Sequence, residues 1–414
     1  MVNHVMSRRS LLKGGGAALA GLSTVHVAGP AYAFPGDRDE VLVPWVDRQL
    51  FSPPPETQID WEKLDDWVTA NDEFFVVFHY DIPKLDASWR LGITGLVARA
   101  QSLSLADLAA RQRREQTVTL ECSGDHGFPD FTGAVSNARW AGTPLAPLLH
   151  AAGLDRKATE VVFYGADSGP VMIRDNPGVV RPPSRPPDTG TPDPANPGRF
   201  FLTINEQFSR SMSVEEALDP DNLLAFEMNG APLPPAHGSP LRLIAPGWYG
   251  VANVKWLTRI DVVDQRHAGR FMARDYVTIR EPKAGAQTVW TFSNVSHMRL
   301  KSAPAKVTRR RDRYTIMGAA WGAPVSRVEV KIDEGPWIEA DLDRQGDRRH
   351  GRETFAWSFW TLPWRRPASG KRSITSRAFD FEGNIQPPPD DPYLSSRVTY
   401  WENNGQITRS VLIP

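Results

Sequence analysis

The stretch "TLECSGDHG", residues 119–127, contains the single cysteine of this chain, Cys122. It ends an alternating segment, "QTVTLEC", which predicts a strand with the thiol at its end. One cysteine cannot form a disulfide within the chain, and most free cysteines are small buried apolar residues. A thiolate is also a good ligand for soft metals. These residue types leave two alternatives open, a buried structural cysteine or a metal ligand.

A second stretch, "HGSPLRLIAPGWYGVANVKWL", combines three basic side chains with glycines, prolines and apolar residues. His237, Arg242 and Lys255 lie among glycines, prolines and apolar residues, so these cations are not expected to form a solvated helix face. Arginine presents a planar fork that suits phosphate, and lysine adds a point charge. The cations could bind an anionic ligand or pair with carboxylates of the same chain. Both interpretations stay open on the residues alone.

Composition places these two stretches in a globular protein. The 414 residues are 41% hydrophobic and 23% charged, and this length predicts two domains. Lys plus Arg number 48, and so do Asp plus Glu. Because there is no excess of basic charge, the sequence argues against a nucleic-acid or anionic-membrane partner.

The N-terminus predicts export. Arg8 and Arg9 precede an apolar, Gly/Ala-rich stretch and then "AYA", a small-residue cleavage pattern that ends at Ala33. Residues 1–33 are therefore predicted to be a twin-arginine signal peptide, with an ordinary secretory signal as the alternative. The twin-arginine route carries folded proteins, and the expected location is periplasmic or exported. No later apolar run is long enough to predict a membrane span.

The elements that must position Cys122 alternate between strands and helices. "FFVVFHYDIP" and "WRLGITGLV" predict strands, and "SLADLAARQRR" predicts a helix with Ser104 as its N-cap. "TPLAPLLHAAG" predicts another helix, "EVVFYGADSG" a strand that runs into a loop, and Ser213 with Glu216 a capping box. Before them, the Pro-rich residues 34–70 are expected to form an arm lying over the domain.

Two further segments differ in composition. Residues 175–198 are rich in proline and poor in apolar residues, which predicts a long surface loop. Beyond about residue 300, "RYTIMGAAW", "SRVEVKID", "AWSFWTL" and "SITSRAFDFEGN" are short alternating strands separated by turns. This pattern is typical of a β-sandwich.

Several motifs in order along the chain resemble the sulfite oxidase family. "LECSGDHG", "NARWAGTPLAPLL", "LLAFEMNGAPLPPAHGSPLRLIAPGWYGVANVKWLTRI" and "RDYV" are similar to its molybdopterin domain. "RVEVKIDEGPWIEA" and "SRAFDFEGNIQP" are similar to its C-terminal immunoglobulin-like dimerisation domain. The resemblance implies an α+β fold with a mixed α and β molybdopterin-binding domain at 71–295, an immunoglobulin-like β-sandwich at 296–414, and a homodimer.

The resemblance also implies roles for individual residues. Cys122 would be the protein thiolate on molybdenum, with one molybdopterin supplying the other sulfur ligands. Tyr276, in "RDY", would hydrogen-bond near the substrate. The residues implied in holding the cofactor are Phe75, His79, Asp167, His237, Arg242, Asn253, Val254 and Lys255. His126 is a further candidate at the catalytic centre, because it follows the cysteine where the family has other residues; the alternative is a solvated loop histidine.

The activity implied by the resemblance is oxygen-atom transfer, sulfite to sulfate, with electrons passing to an external c-type cytochrome. The chain contains no C-x-x-C-H motif, so no haem is expected within it. Two alternatives stand beside this function: a related molybdenum oxidoreductase acting on another sulfur compound or oxide, and a non-catalytic binding protein that kept the fold.

One departure from the family bears on the substrate. Family members place arginines around the anion at three positions, and here those positions read Val77, Gly127 and Asn404. Each lost charge-assisted hydrogen bond would weaken sulfite binding by roughly 1.5 to 3 kcal/mol. The basic residues that could compensate are His126, Arg139, Arg181 and Arg185.

Overall fold

The structure of the protein is a computed structural model. It describes residues 40–47, 58–127, 131–174, 190–192, 200–281, 283–284, 287–343 and 355–414. The signal peptide predicted at 1–33 lies outside these residues. So does the Pro-rich loop predicted at 175–198, apart from the backbone of Gly190–Pro192.

The largest sheet of the first domain has six strands among the described residues. In spatial order they are β3 (Gln101–Leu103), β2 (Leu91–Gly95), β12 (Leu257–Val263), β6 (Glu160–Arg174), β8 (Phe200–Ser213) and β7 (Gly190–Pro192). β2 and β12 run parallel, and the other neighbours are antiparallel. "EVVFYGADSG" was predicted to end in a loop, which is wrong: β6 continues through it, with a register shift between Tyr164 and Ser168.

A second sheet delivers Cys122. Its strands are β10 (Ala231–Pro232), β9 (Leu223–Met228), β5 (Val135–Pro144) and β4 (Arg114–Glu121), and β11 (Arg242–Ile244) also pairs with β9. β4 ends at Glu121, one residue before the thiol. The strand predicted from "QTVTLEC" is therefore confirmed. Arg242 begins β11 in the same sheet, so this sheet also carries one of the predicted anion-binding residues.

Short helices connect the strands. The α-helices are α1 (Leu105–Ala109), α2 (Leu145–Ala152), α3 (Val214–Ala217), α4 (Arg270–Ala273) and α5 (Pro392–Ser395), and 3₁₀ turns cover Trp61–Lys63, Pro235–His237 and Gly250–Ala252. Ser104 caps α1 and Ser213 caps α3, each by the reciprocal capping box with an acidic residue three positions on. Both predicted caps are confirmed. Within the described part of the chain, every helix is too short or too polar to cross a membrane.

The C-terminal region is a sandwich of two antiparallel sheets, as predicted. One sheet contains β1 (Val41–Val43), β17 (Lys301–Arg310), β18 (Arg313–Trp321), β22 (Ser358–Arg365) and β21 (Asp341–Leu342); the other contains β20 (Trp337–Glu339), β19 (Val325–Ile332), β23 (Gly370–Asp380) and β24 (Ile407–Ile413). Two small hairpins precede it, β13 (Val277–Arg280) with β16 (Thr291–Asn294) and β14 (Lys283–Ala284) with β15 (Gln287–Thr288).

The described part of the predicted arm packs on the sandwich. β1 pairs with β17, and the Trp45 indole donates to Ala305 O at 2.9 Å. Trp67 and Trp357 each donate an indole N–H to the other's carbonyl, both at 2.9 Å. Trp61 and Trp67 of the arm pack in a cluster that contains residues of both domains, so the arm contacts both of them.

The strand predicted from "FFVVFHYDIP" is not formed. Within the described part of the chain, no strand pairs with residues 74–78; the Phe74 N–H bonds to Ala70 O, and the Phe75 N–H bonds to the Ser136 hydroxyl. The alternating apolar residues are real, but they line a cavity and a core cluster instead of one face of a sheet.

Candidate active site

A cavity lies where the second sheet meets the segment at 74–79. Its lining is largely apolar, with a few charged groups. The lining residues are Phe74, Phe75, Val77, Phe78, His79, Leu120, Cys122, Asp167, Phe208, His237, Arg242, Gly250, Val251, Asn253, Lys255, Trp256 and Tyr276.

Cys122 enters this cavity from the end of β4 and is partly exposed to it. Its backbone is held on both sides, since Cys122 N donates to Ala134 O at 2.8 Å and Asp125 N donates to Cys122 O at 2.9 Å. Burial raises the pKa of the Cys122 thiol to about 12, and the neighbouring carboxylates add to the shift. A free thiol here stays protonated at neutral pH, so a metal that binds it must displace the proton.

Tyr276 and His79 form a polar pair in the same cavity. The His79 Nε2 lies 2.7 Å from the Tyr276 hydroxyl. Desolvation lowers the pKa of His79 to about 4, and Arg270 adds to this effect, so the imidazole is neutral at pH 7. Burial raises the pKa of Tyr276 well above its ordinary value. The pair is therefore uncharged and able to hydrogen-bond a ligand at its open side.

Arg242 supplies a cation with unused hydrogen-bonding capacity. Its Nη1 donates to His237 O at 2.9 Å, its Nη2 donates to Asn253 O at 3.2 Å, and its guanidinium stacks over Trp140 at 4.7 Å. Its Nε is buried with no partner among the described residues. Burial lowers the pKa of Arg242 to about 9, and none of the carboxylates in the described residues forms an ion pair with it.

Lys255 is the second cation of the cavity. Its Nζ donates to Val77 O and to Ala236 O, both at 3.1 Å, and lies 4.5 Å from the centroid of Trp256. Burial lowers the pKa of Lys255, and Asp167 opposes the shift. Asp167 is also buried, which raises its pKa, and its Oδ1 has no described hydrogen-bond partner. The cavity therefore contains two cations and an acid. The Nε of Arg242 and the Oδ1 of Asp167 have no hydrogen-bond partner among the described residues, so both can bond a ligand.

His237 and Asn253 serve the loop that shapes the cavity. The His237 Nε2 lies 2.8 Å from Asn71 O, and burial lowers the pKa of His237 to about 3. The Asn253 side chain accepts from Ala245 N at 2.8 Å and donates to Tyr249 O at 3.0 Å. The Asn253 side chain therefore holds the loop, and the Asn253 backbone carbonyl accepts a hydrogen bond from Arg242 Nη2.

Two of the predicted site residues do not line the cavity. The Val254 side chain is buried in the core cluster under the large sheet. His126 has a side chain only 10% exposed, and its Nδ1 lies 2.8 Å from Asp125 Oδ2. It is neither a solvated loop histidine nor a cavity residue; it belongs to the interior of the Cys122 loop.

The surroundings of the three positions that lack the expected arginines differ. Val77 lines the cavity as an apolar residue. At Gly127, an added Cβ would lie 2.1 Å from Tyr400 O, so no side chain fits the present backbone. Asn404 is buried and donates to Leu300 O at 3.2 Å, outside the cavity lining. Arg139 also lies outside the lining, and Arg181 and Arg185 are outside the described residues.

Most of the apolar wall of the cavity was not predicted from the sequence. Phe74 and Phe78 were visible as part of an aromatic run, but the run was interpreted as a strand. Val251 and Trp256 lie within the basic stretch at 237–257, whose cations were identified but not its apolar residues. Phe208 comes from a distant part of the chain, and no local pattern marks it. Phe208 stacks with the His79 ring at 6.2 Å, so it shapes the surroundings of the polar pair.

The residues present fit a molybdopterin. Cys122 offers a sulfur ligand at one place in the cavity, and the buried cations Arg242 and Lys255 suit a phosphate. The unpaired Nε of Arg242 and Oδ1 of Asp167 are costly in an interior unless a ligand bonds them. Gly250 lies against the strand end, with an added Cβ 3.2 Å from Glu121 O, so the chain approaches the site closely.

Comparisons with known proteins agree with this site. The family model "Oxidoreductase molybdopterin binding domain" matches residues 79–179 and 196–271, and "Mo-co oxidoreductase dimerisation domain" matches residues 288–403. Sulfite oxidase of Rattus norvegicus is 33% identical over 374 residues, which cover 83% of this chain and 61% of that protein. The chain thus spans less than two thirds of that relative.

Two further relatives cover more of their own length. Sulfite oxidase of Gallus gallus is 31% identical over 362 residues, covering 80% of this chain and 70% of that protein. The sulfane dehydrogenase SoxCD of Paracoccus pantotrophus has a similar fold, with a TM-score of 0.66, 23% identity and 98% coverage of both chains. From its site and these likenesses, the chain belongs to the sulfite oxidase family of molybdopterin-binding oxidoreductases.

Proposed function

We propose that this chain is an exported molybdenum enzyme that oxidises sulfite to sulfate and passes the electrons to an external c-type cytochrome. One observation carries the proposal: Cys122, the Tyr276–His79 pair and the cations Arg242 and Lys255 converge on one cavity. The net reaction takes sulfite and water to sulfate, two protons and two electrons. When bound, the molybdenum cofactor supplies the transferable oxygen and holds the two electrons.

The cations would hold the cofactor by its phosphate. The Arg242 Nε has no hydrogen-bond partner among the described residues, and Lys255 can exchange its two carbonyl acceptors for phosphate oxygens. Asp167 can accept from pterin N–H groups through its unpaired Oδ1. Cys122 would bind the metal as a thiolate. Because its pKa is raised, the thiol is protonated at neutral pH and loses this proton when the metal binds.

The Tyr276–His79 pair would orient the substrate. Neutral His79, with its proton on Nε2, donates to the Tyr276 oxygen and leaves the tyrosine O–H free to donate to a sulfite oxygen. The phenol stays protonated because its pKa is raised. Phe208 and Val251 keep the rest of the wall apolar, which excludes water and strengthens that hydrogen bond.

A second candidate follows from the charges of the cavity. Among the described lining residues, the cations are Arg242 and Lys255. The three positions where the family places arginines, 77, 127 and 404, have uncharged residues in this chain. A dianionic substrate would therefore bind weakly, and a less charged sulfur compound or sulfur oxide would suit the apolar wall better. This observation favours a related molybdenum oxidoreductase with another sulfur substrate.

Steady-state kinetics test the two candidates. The molybdenum-loaded protein is assayed for sulfite oxidation with ferricyanide and with cytochrome c, and for reduction of a neutral sulfoxide with a reduced viologen. Cys122→Ser is the matched control, since it exchanges one atom of the metal ligand. Sulfite turnover that disappears in Cys122→Ser supports the first candidate; sulfoxide turnover without sulfite turnover supports the second. A protein purified without molybdenum or pterin from a host that makes the cofactor would leave a non-catalytic binding function.

Export and dimerisation are further parts of the proposal. Arg8 and Arg9 precede an apolar stretch and a small-residue cleavage pattern, which supports the twin-arginine route to the periplasm. The match to a dimerisation domain supports a homodimer. Replacing both arginines with lysine should retain the uncleaved protein in the cytoplasm, as measured by cell fractionation. Sedimentation of the mature protein measures its oligomeric state.

A further inference from the structure

An apolar surface lies on the hairpin that follows Tyr276. In the β13–β16 hairpin, Ile279 is directly opposite Phe292. On the other side of β13, Val398 N donates to Ile279 O at 3.0 Å, and Arg280 forms a bridge with Arg397, which places Val398 opposite Ile279. Residues opposite one another across strands point to the same face. Phe292, Ile279 and Val398 therefore form one row.

The two ends of this row are open to solvent, and Ile279 between them is half-buried. Phe292 is 67% exposed and Val398 is 53% exposed, and Trp290 and Tyr400, two residues along the chain from them, are 52% and 44% exposed. Single exposed apolar residues are ordinary, but a group of this kind marks an interaction surface. Aromatic residues are also the types enriched at protein–protein interfaces.

The same surface is connected to the cavity by stacked rings. The Tyr276 ring, which lines the cavity, stacks on Trp401 with centroids 4.3 Å apart, and Trp401 contacts Tyr400 at 4.0 Å. Tyr400 also lies over the Cys122 loop, since a Cβ at Gly124 would be 3.3 Å from its Cε2. An unbroken series of aromatic contacts thus leads from the catalytic cavity to an exposed ring.

We infer that the surface formed by Ile279, Trp290, Phe292, Val398 and Tyr400 is the docking site of the one-electron acceptor, a small protein that presents its haem edge in an apolar rim. The inference rests on the proposed oxidoreductase function. A protein acceptor is too large to enter the cavity, so it must dock outside it. In each encounter one electron leaves the reduced centre and a ferric haem becomes ferrous; two encounters complete one substrate oxidation.

The test separates docking from catalysis. The double variant Phe292→Ser/Val398→Ser removes apolar surface without adding charge, and neither residue lines the cavity. Leu412→Ser is the matched control, because Leu412 is 56% exposed on β24 of the sandwich. Each holoenzyme is assayed with ferricyanide and with cytochrome c, binding of cytochrome c is measured by surface plasmon resonance, and oligomeric state is measured by sedimentation.

We expect the double variant to lose tenfold or more in kcat/KM for cytochrome c and a similar factor in binding, with the ferricyanide rate unchanged. The control keeps both rates. An equal fall with both acceptors, unchanged cytochrome c binding, or a wild-type enzyme that reduces ferricyanide but not cytochrome c would overturn the inference. A wild-type dimer that becomes monomeric in the double variant would instead assign the surface to contact between copies.

Failure of the proposed function is distinguishable from failure of the inference. If the wild-type holoenzyme turns over with neither acceptor, the proposed function fails. The binding measurement still decides the docking surface in that case, since it needs no turnover.

Discussion

Lys301, the first residue of β17 in the sandwich, donates a buried hydrogen bond to the carboxylate of Glu121, the residue before Cys122. The Lys301 side chain is 1% exposed and the Glu121 side chain is 0% exposed. The same ammonium donates to Asp125 O at 3.3 Å, inside the Cys122 loop. Glu121, Asp125 and His126 are close enough to resemble a metal site, but the lysine provides the cation there. The sandwich domain therefore holds the cysteine loop in place.

Removing the lysine should destabilise the chain strongly. We expect Lys301→Met to lower the free energy of unfolding by about 3 to 5 kcal/mol, because it leaves the Glu121 carboxylate buried without its partner. The double variant Lys301→Met/Glu121→Gln should lose clearly less, since it removes both charges. Urea unfolding of the cofactor-free protein measures both.

Lys331→Met is the control for this prediction. Lys331 pairs with Glu334, which is 97% exposed, at 3.6 Å, and such surface pairs contribute at most about 1 kcal/mol. A loss for Lys301→Met no larger than that of Lys331→Met would contradict the role of the buried pair.

The thiol of Cys122 should react slowly in the cofactor-free protein. With its pKa raised to about 12, little of the thiol is ionised at pH 8, and the thiolate is the species that reacts with iodoacetamide. We expect alkylation to be at least tenfold slower than in the urea-unfolded chain, and to accelerate as the pH rises. Mass spectrometry of the only cysteine-containing peptide follows the reaction. Equal rates in the folded and unfolded chains would show that the thiol is not shielded.

The cations of the cavity should determine how tightly the cofactor is retained. Arg242→Met and Lys255→Met each remove a charge-assisted interaction of roughly 1.5 to 3 kcal/mol, which corresponds to roughly 10- to 100-fold weaker binding. Molybdenum content after dialysis measures retention. Arg259→Met is a suitable control, because Arg259 stacks over Tyr164 outside the cavity lining. Full retention in both cavity variants would exclude these residues from cofactor binding.

Burial of His237 should make stability depend on pH. Its pKa is about 3 in the folded chain against an ordinary value of 6.5, so between these values the unfolded chain binds a proton that the folded chain does not. Stability is therefore lost as the pH falls below 6.5, by about 1.4 kcal/mol for each pH unit from this residue.

The measurement compares wild type with His237→Gln, whose amide can still donate to Asn71 O. Urea unfolding at pH 6.5, 5.5 and 4.5 should show a smaller decline in the variant. The exposed His150→Gln provides the control and should follow wild type. The same decline in His237→Gln and wild type would contradict the assignment.

Local patterns were sufficient for several parts of this molecule. The alternation of "QTVTLEC" predicted the strand that ends before Cys122, and the Ser-x-x-acid pattern predicted the caps at Ser104 and Ser213. These features depend on neighbours within a few residues. Arg242 and Lys255 were also found, because they and their loop belong to one short stretch of chain.

The same kind of pattern failed where side chains face a cavity. Alternating Phe74 to Phe78 predicted a strand, yet the apolar residues line the cavity and its adjoining core, and the backbone bonds to Ala70 and Ser136. An alternating pattern indicates which side chains are buried. It does not indicate whether they pack against a sheet, a core cluster or a cavity.

The sequence by itself determined the cysteine at a strand end, the basic loop and the two-domain order, since each is encoded in adjacent residues or in motifs. Only the tertiary structure decided that Lys301 pairs with Glu121, 180 residues away, and that Trp401 and Tyr400 connect the cavity to the surface. It also decided that His126 belongs to the loop interior. These contacts join parts of the chain that are brought together by packing the sandwich against the first domain, and no local pattern records that packing.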